Sequence, residues 1–286
     1  MKLYLALELQ GSTPRFRKFL EAAAATHADA AVLFGDLTGN AVVPIVQKTD
    51  GSHHCTLAGE RVDIASDENM ARVKSTIEAA GDYWVCQTED ENLHAGDDPA
   101  MLAMLFKGLA LTRLREWVQM AEDHVRRHSQ RVLMAAGAGD WPFVDTVIDQ
   151  SELLELCDDR VVAVDGHELV AFSPGPPTEW EAPREMPENE LRARLQALCA
   201  QVKRPERAVL CLPHDCRAVH KALRGFKPLL LVHRAPNSRL GGSQKSGPTL
   251  SLDPGPQNNE YADTTLRAMI VVLDEQAVHD YTFVSI

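Results

Sequence analysis

The sequence predicts an α/β protein, folded as a single domain over residues 1–286. Three observations carry that expectation. A strand pattern, a helix pattern and a second strand pattern follow one another within residues 3–35, the mark of a βαβ unit and a parallel strand pair. Short apolar runs then recur in RVLM, AVLCL and PLLLV, each ending on a polar or glycine-rich turn. Stretches of helical period separate them.

Taken in order, residues 3–8 and 29–35 read as strands around a helix over about 13–27, with Ser12 or Thr13 placed to cap it. Residues 42–57 read as a hairpin turning at Asp50-Gly51. A helix is expected over 67–79 and a strand at YWVCQT, 83–88. The acidic run TEDENLHAGDD, 88–98, reads as a solvated loop. Asp98-Pro99 is a good helix start, because a proline at the first position loses no bond and an aspartate accepts from the free N–H groups. That helix is expected to reach His128 and to bury Met101, Leu105, Leu109, Trp117, Met120 and Ala121. RVLMAAGAGDWP repeats the strand, glycine turn and acid of the opening. VVAVDGHELVAF predicts a hairpin at Asp165-Gly166, the proline-rich 173–187 is irregular, and a helix follows near 188–202. The strands AVLCL (208–212) and PLLLV (228–232) precede a final hairpin from 268–274 and 278–284.

Composition excludes some functions. With 29 basic and 41 acidic residues the formal net charge is −12, which argues against sequence-independent nucleic-acid binding, where cations must neutralise phosphates. No run approaches the ~20 apolar residues of a membrane span. The opening MKLYLALELQ is too short and too charged for a signal peptide. Six scattered cysteines without a CxxC pair then point to reduced thiols and a cytoplasmic protein.

Chemistry-bearing residues gather where strands end: Glu8 to Gln10, Asp36, the turn 137–140, His214 and His233. Ligand sites of α/β sheets lie outside the carboxyl ends of strands. A Gly-Asp after a strand is by itself usually a turn, and a lone histidine usually belongs to the core or the surface; the ordered series carries the weight. Other features read blandly. Ser52-His53-His54-Cys55 is exposed hairpin, and Cys211 and Cys216 are two packed thiols unless close in space. GGSQKSG (241–247) lacks phosphate-loop spacing and is a flexible connection. Trp180 has a core or lid position as its default.

The segments ELQGS (8–12), GDLTGNAVVPIV (35–46), GAGDWP (137–142), PPTEWEAPRE (176–185), LPHD (212–215) and PLLLVHRAPNS through SLDPGP (228–256) resemble the calcineurin-like metallophosphoesterase family. The resemblance covers nearly the whole chain and is most specific at GDLTGNAVVPIV and PPTEWEAPRE. It implies a two-sheet sandwich flanked by helices, and phosphate-ester hydrolysis by two metal ions, often manganese, iron or zinc. Two such cations clamp the phosphate oxygens and lower the pKa of a bound water. The resemblance makes Asp36 the bridging carboxylate, with Glu8, Asp140, His214 and His233 as further candidate metal ligands.

The ligand motifs are depleted. Glu8-Leu9-Gln10 stands where the family has Asp-x-His, Gly137-Ala138-Gly139-Asp140 where it has Gly-Asn, and His233-Arg234-Ala235-Pro236 where it has Gly-His-x-His. Asp215-Cys216 follows His214 in place of the usual prolines. The resemblance therefore implies no cofactor, or one weakly bound divalent metal (Mn, Zn or Fe). Arg234 is a candidate phosphate-binding residue, because a guanidinium pairs with phosphate directly. The expected function is a weakly active or inactive module that binds a phosphorylated small molecule or a partner protein, without nucleic acid or membrane. The alternative is an active hydrolase with a rearranged, mononuclear site.

Overall fold

The computed structural model describes residues 1–213, 216–234, 241–257, 261 and 263–286, with the main chain alone at 95–97. In chain order the elements begin β1 (Lys2–Leu7), α1 (Thr13–Ala25), β2 (Ala30–Phe34), β3 (Val42–Gln47), β4 (His53–Leu57), β5 (Glu60–Ile64), α2 (Asp67–Ala80) and β6 (Tyr83–Thr88). There follow α3 (Glu89–Asp97), α4 (Pro99–His128), β7 (Arg131–Met134), α5 (Phe143–Asp149), β8 (Leu154–Leu156), β9 (Arg160–Val164), β10 (His167–Ala171) and α6 (Glu188–Cys199). The last are β11 (Ala208–Leu212), α7 (Arg217–Ala222), β12 (Leu230–His233), β13 (Gly242–Ser246), β14 (Thr249–Asp253), β15 (Arg267–Leu273) and β16 (Val278–Ser285).

These strands build two six-stranded sheets, ordered β16-β15-β1-β2-β7-β8 and β13-β14-β12-β11-β10-β9, and a small sheet, β5-β4-β3-β6. The central strands of both large sheets are parallel. The second sheet has an antiparallel strand at each edge, whereas the first has antiparallel β15 and β16 on one side and the parallel β8 at the other edge. β1 shows why the sheets face each other. Its residues from Leu3 to Leu7 are all buried, as a parallel strand covered on both faces requires. Leu3, Leu5 and Leu7 join Val32, Phe34, Val209, Leu230, Val232 and Leu252 in the core between the sheets, whereas Tyr4 and Ala6 face α1 and α4. There Phe16 stacks on Trp117, ring centres 4.3 Å apart. On the far side of the second sheet α6 and α7 cover Val170, Phe172, Leu210 and Leu212.

Several expectations are corrected. The acidic run is a helix, α3, because Thr88 and Glu91 form a reciprocal capping box. GGSQKSG contributes strand β13, paired with β14 from Gly242↔Asp253 to Ser246↔Thr249. Met101 is half exposed, since the first turns of α4 lie against α3, itself an exposed helix. Cys55 is buried under the small sheet. Ser12 stands at the α1 N-cap, but its hydroxyl donates to the Ala79 carbonyl at 2.8 Å and not to the helix. Cys211 packs between the sheets while Cys216 packs on the helical side, so the two thiols face different cores.

Candidate functional site

The site begins where β1 runs out. Glu8 and Gln10 both take left-handed backbone conformations, φ 56° and 49°, which non-glycine residues hold only when the surroundings compensate the strain. The compensation is visible: Glu8 N–H donates to the Phe34 carbonyl at 3.0 Å and Gln10 N–H to the Asp36 carbonyl at 2.9 Å. Gly35 supplies the matching bend after β2, with φ 84° and Glu8 directly behind it. Asp36 is thereby set beside Glu8.

The turn after β7 closes over Asp36. A Cβ on Gly137 would lie 2.1 Å from Asp36 Oδ1, so the approach requires glycine there. Gly139 N–H donates to Asp36 Oδ1 at 2.9 Å. Asp140, fully buried, points back under residues 36–38. Its Oδ2 accepts from Leu37 N–H (2.8 Å) and Gly137 N–H (2.9 Å), and its Oδ1 from Thr38 N–H (2.8 Å) and Thr38 Oγ1 (2.6 Å). A carboxylate offers about four acceptor positions. All are taken, which makes Asp140 a clamp between two loops and not a free ligand.

From the second sheet Arg234, immediately after β12, pairs with Glu8 through Nη1 and Oε2. Its charge also acts on Asp36. Burial pushes the Glu8 carboxyl up to about 7, opposed by Arg234 and reinforced by the neighbouring charges of Asp36 and Asp253. Burial likewise raises Asp36, against the Gly139 hydrogen bond and the charges of Arg234 and Arg184. Asp140 is raised to about 6, by burial first and then by Asp36.

Of the candidates read from the sequence, Glu8, Asp36 and Arg234 come together, with Asp140 directly behind them. His214 lies outside the described residues, as do Ala235 and Pro236. His233 goes elsewhere: it lines a cavity with Leu231 on the helical side of the second sheet, while Arg234, the next residue, turns to the inter-sheet side. Adjacent residues of a strand point to opposite faces.

Two residues of the site escaped the sequence reading. Asp253, buried at the end of β14, places its charge on Glu8; a strand that runs out on a carboxylate is the kind of signal that also marks Asp36. Arg184 is the second. Its guanidinium reaches the Asp140 carbonyl (2.8 Å), both Asp145 oxygens (2.8 and 3.0 Å), Asp158 (3.1 Å) and the Trp141 carbonyl (3.2 Å). Arg184 thus ties the 176–185 segment to the Asp140 turn. Trp180 in the same segment is 80% exposed, which rules out a core position.

Among the described residues no three His, Cys, Asp or Glu side chains are grouped to hold a metal ion. The donor chemistry gives the reason. Asp140 has no acceptor left, Glu8 is paired with a guanidinium, and His233 faces away. These residues do not fit a dimetal centre.

Comparison with protein-family models finds no match, and no curated protein matches the chain. Solved structures do. One crystal structure superposes with a TM-score of 0.55 at 12% identity, covering 99% of this chain and 98% of the other. TT1561 of Thermus thermophilus matches with a TM-score of 0.50 at 12% identity, over 93% and 92% of the two chains. A novel archaeal phosphodiesterase aligns over 100% of both chains at 8% identity, with a TM-score of 0.43. The fold is the one shared with the first two of these structures. At such identities the likeness concerns the fold alone. Within this fold, the described residues place a carboxylate-rich cluster and the Arg234 guanidinium together at the strand ends. No helix among the described residues is long and apolar enough to cross a membrane.

Proposed function

We propose that this metallophosphoesterase-fold protein binds a phosphate-bearing ligand and hydrolyses phosphate esters weakly or not at all. The observation that carries the reading is the Glu8–Arg234 pair. A fixed organic cation sits against the carboxylates where the resemblance implies metal-binding histidines. A divalent ion entering there meets like-charge repulsion from Arg234 and competes with it for Glu8. A guanidinium carries five N–H donors. The pair with Glu8 uses Nη1, and 37% of the Arg234 side chain remains exposed, so a phosphate or a phosphorylated partner can approach the same guanidinium.

Loss of either ion of a dimetal centre removes stabilisation of the attacking or leaving oxygen, and each 1.36 kcal/mol is a factor of ten in rate. Purified protein supplied with manganese is expected to turn over bis-p-nitrophenyl phosphate hardly above background. It is expected to bind inorganic phosphate in a way that Arg234→Ala weakens. Robust manganese-dependent turnover, abolished by Asp36→Ala, would overturn this reading in favour of a hydrolase with a rearranged, mononuclear site.

A further inference from the structure

A cavity of about 500 Å³ lies on the outer face of the second sheet, under α7 and the turn that follows it. Pockets of this size suit small organic ligands. Its floor can be read from strand register. Leu212 of β11 lies beside His233 of β12, Leu231 beside Ser251 of β14, and Ser251 beside Gln244 of β13. The floor therefore grades from apolar at the sheet centre to polar at its edge. The roof brings Val219, Leu223 and Phe226 over the apolar end, with Arg224 and Lys227 at the rim.

The charge of this lining runs against that of the protein. The chain carries a formal −12, yet the described lining holds Arg224 and Lys227 and no aspartate or glutamate. Neither Arg224 nor Lys227 enters an ion pair among the described residues. Two cationic side chains with no carboxylate in the described lining, beside an apolar wall, are what an amphipathic anion needs: donors for the head, dry surface for the body.

We propose that this cavity is a second binding site, for a small organic anion with an apolar body and a phosphate or carboxylate head. The head sits at Arg224 and Lys227, and the body lies between Phe226 and Leu231. The site is separate from the Glu8–Asp36–Arg234 cluster, because β12 turns His233 toward the one and Arg234 toward the other.

The test is calorimetric titration of the full chain with phenyl phosphate, benzoate and the neutral benzyl alcohol. Phenyl phosphate and benzoate are expected to bind, more weakly as salt is raised, and benzyl alcohol far less. Arg224→Ala with Lys227→Ala should weaken both anions roughly tenfold or more. Both side chains are exposed, so the double variant is expected to keep the parent melting temperature. Arg234→Ala should leave benzoate affinity unchanged. Equal affinity for benzyl alcohol, or anion binding indifferent to Arg224 and Lys227, would overturn the proposal. Loss of phenyl phosphate binding through Arg234→Ala alone would assign that anion to the first site and also overturn it.

Discussion

Asp36 and Asp140 carry the same charge at adjoining turns, yet their substitution should have opposite consequences. Asp140 accepts four hydrogen bonds in full burial. An asparagine there turns an N–H₂ toward donors, and Asp140→Asn is expected to cost about 3 kcal/mol, the scale of charge-assisted bonds lost and donors left unmet. Asp36 is a carboxylate crowded by Glu8 and Asp140, with its Oδ1 held by Gly139. Asp36→Asn keeps that acceptor and removes the repulsion, so its melting temperature at pH 8 should equal or exceed the parent's. A clear fall would count against the crowding. The same burial sets a pH dependence. Glu8 is raised from 4.5 to about 7, and Asp140 and Asp158 from 3.8 to about 6. Across that window the folded chain keeps protons that the unfolded chain has released. The contribution of these groups to stability is therefore full below about pH 4 and falls as pH rises toward 7. Thermal melts should show a steeper loss between pH 5 and 8 in the parent than in Glu8→Gln.

At the scale of elements, the irregular 173–187 segment owes its place to one side chain. Arg184 bridges Asp145 and the buried Asp158 while its own backbone N–H donates to the Ala138 carbonyl at 3.1 Å. Arg184→Met leaves Asp158 without its cation, and breaking a buried pair in this way costs about 3–5 kcal/mol. Faster hydrogen exchange is expected at Gly175 and Met186, whose amides bond within the segment. Unchanged exchange in the variant would show that the proline framework alone holds the loop. Much of this level was legible in sequence. The βαβ start, the Asp98-Pro99 cap, the turns at Asp50-Gly51 and Asp165-Gly166 and the closing hairpin are all set by local residues, and all stand in the structure. α3 was legible too, through Thr88-x-x-Glu91, but its acidic composition obscured the cap. β13 was not: Gly-Ser-Gln-Lys-Ser has no apolar alternation, and only its pairing with β14 makes it a strand.

For the whole molecule, the sequence marked the strand ends that converge but not the partners they meet. Glu8 and Arg234 stand 226 positions apart, and no local pattern announces which face of β12 a residue will take. Here the strand's own composition matters. Leu229, Leu230, Leu231 and Val232 are apolar without alternation, as befits a strand covered on both faces. Hydrophobicity therefore fixes the register of β12 weakly, since a slip of one residue still buries leucine on either side. The Glu8–Arg234 pair breaks that degeneracy, acting as a pin that tells the strand which way up to lie. One residue inserted within 224–227 should be tolerated better in Arg234→Leu than in the parent, when the two are compared by thermal melts. In the slipped strand His233 would face Glu8, so one inserted codon would exchange the guanidinium at the carboxylates for an imidazole.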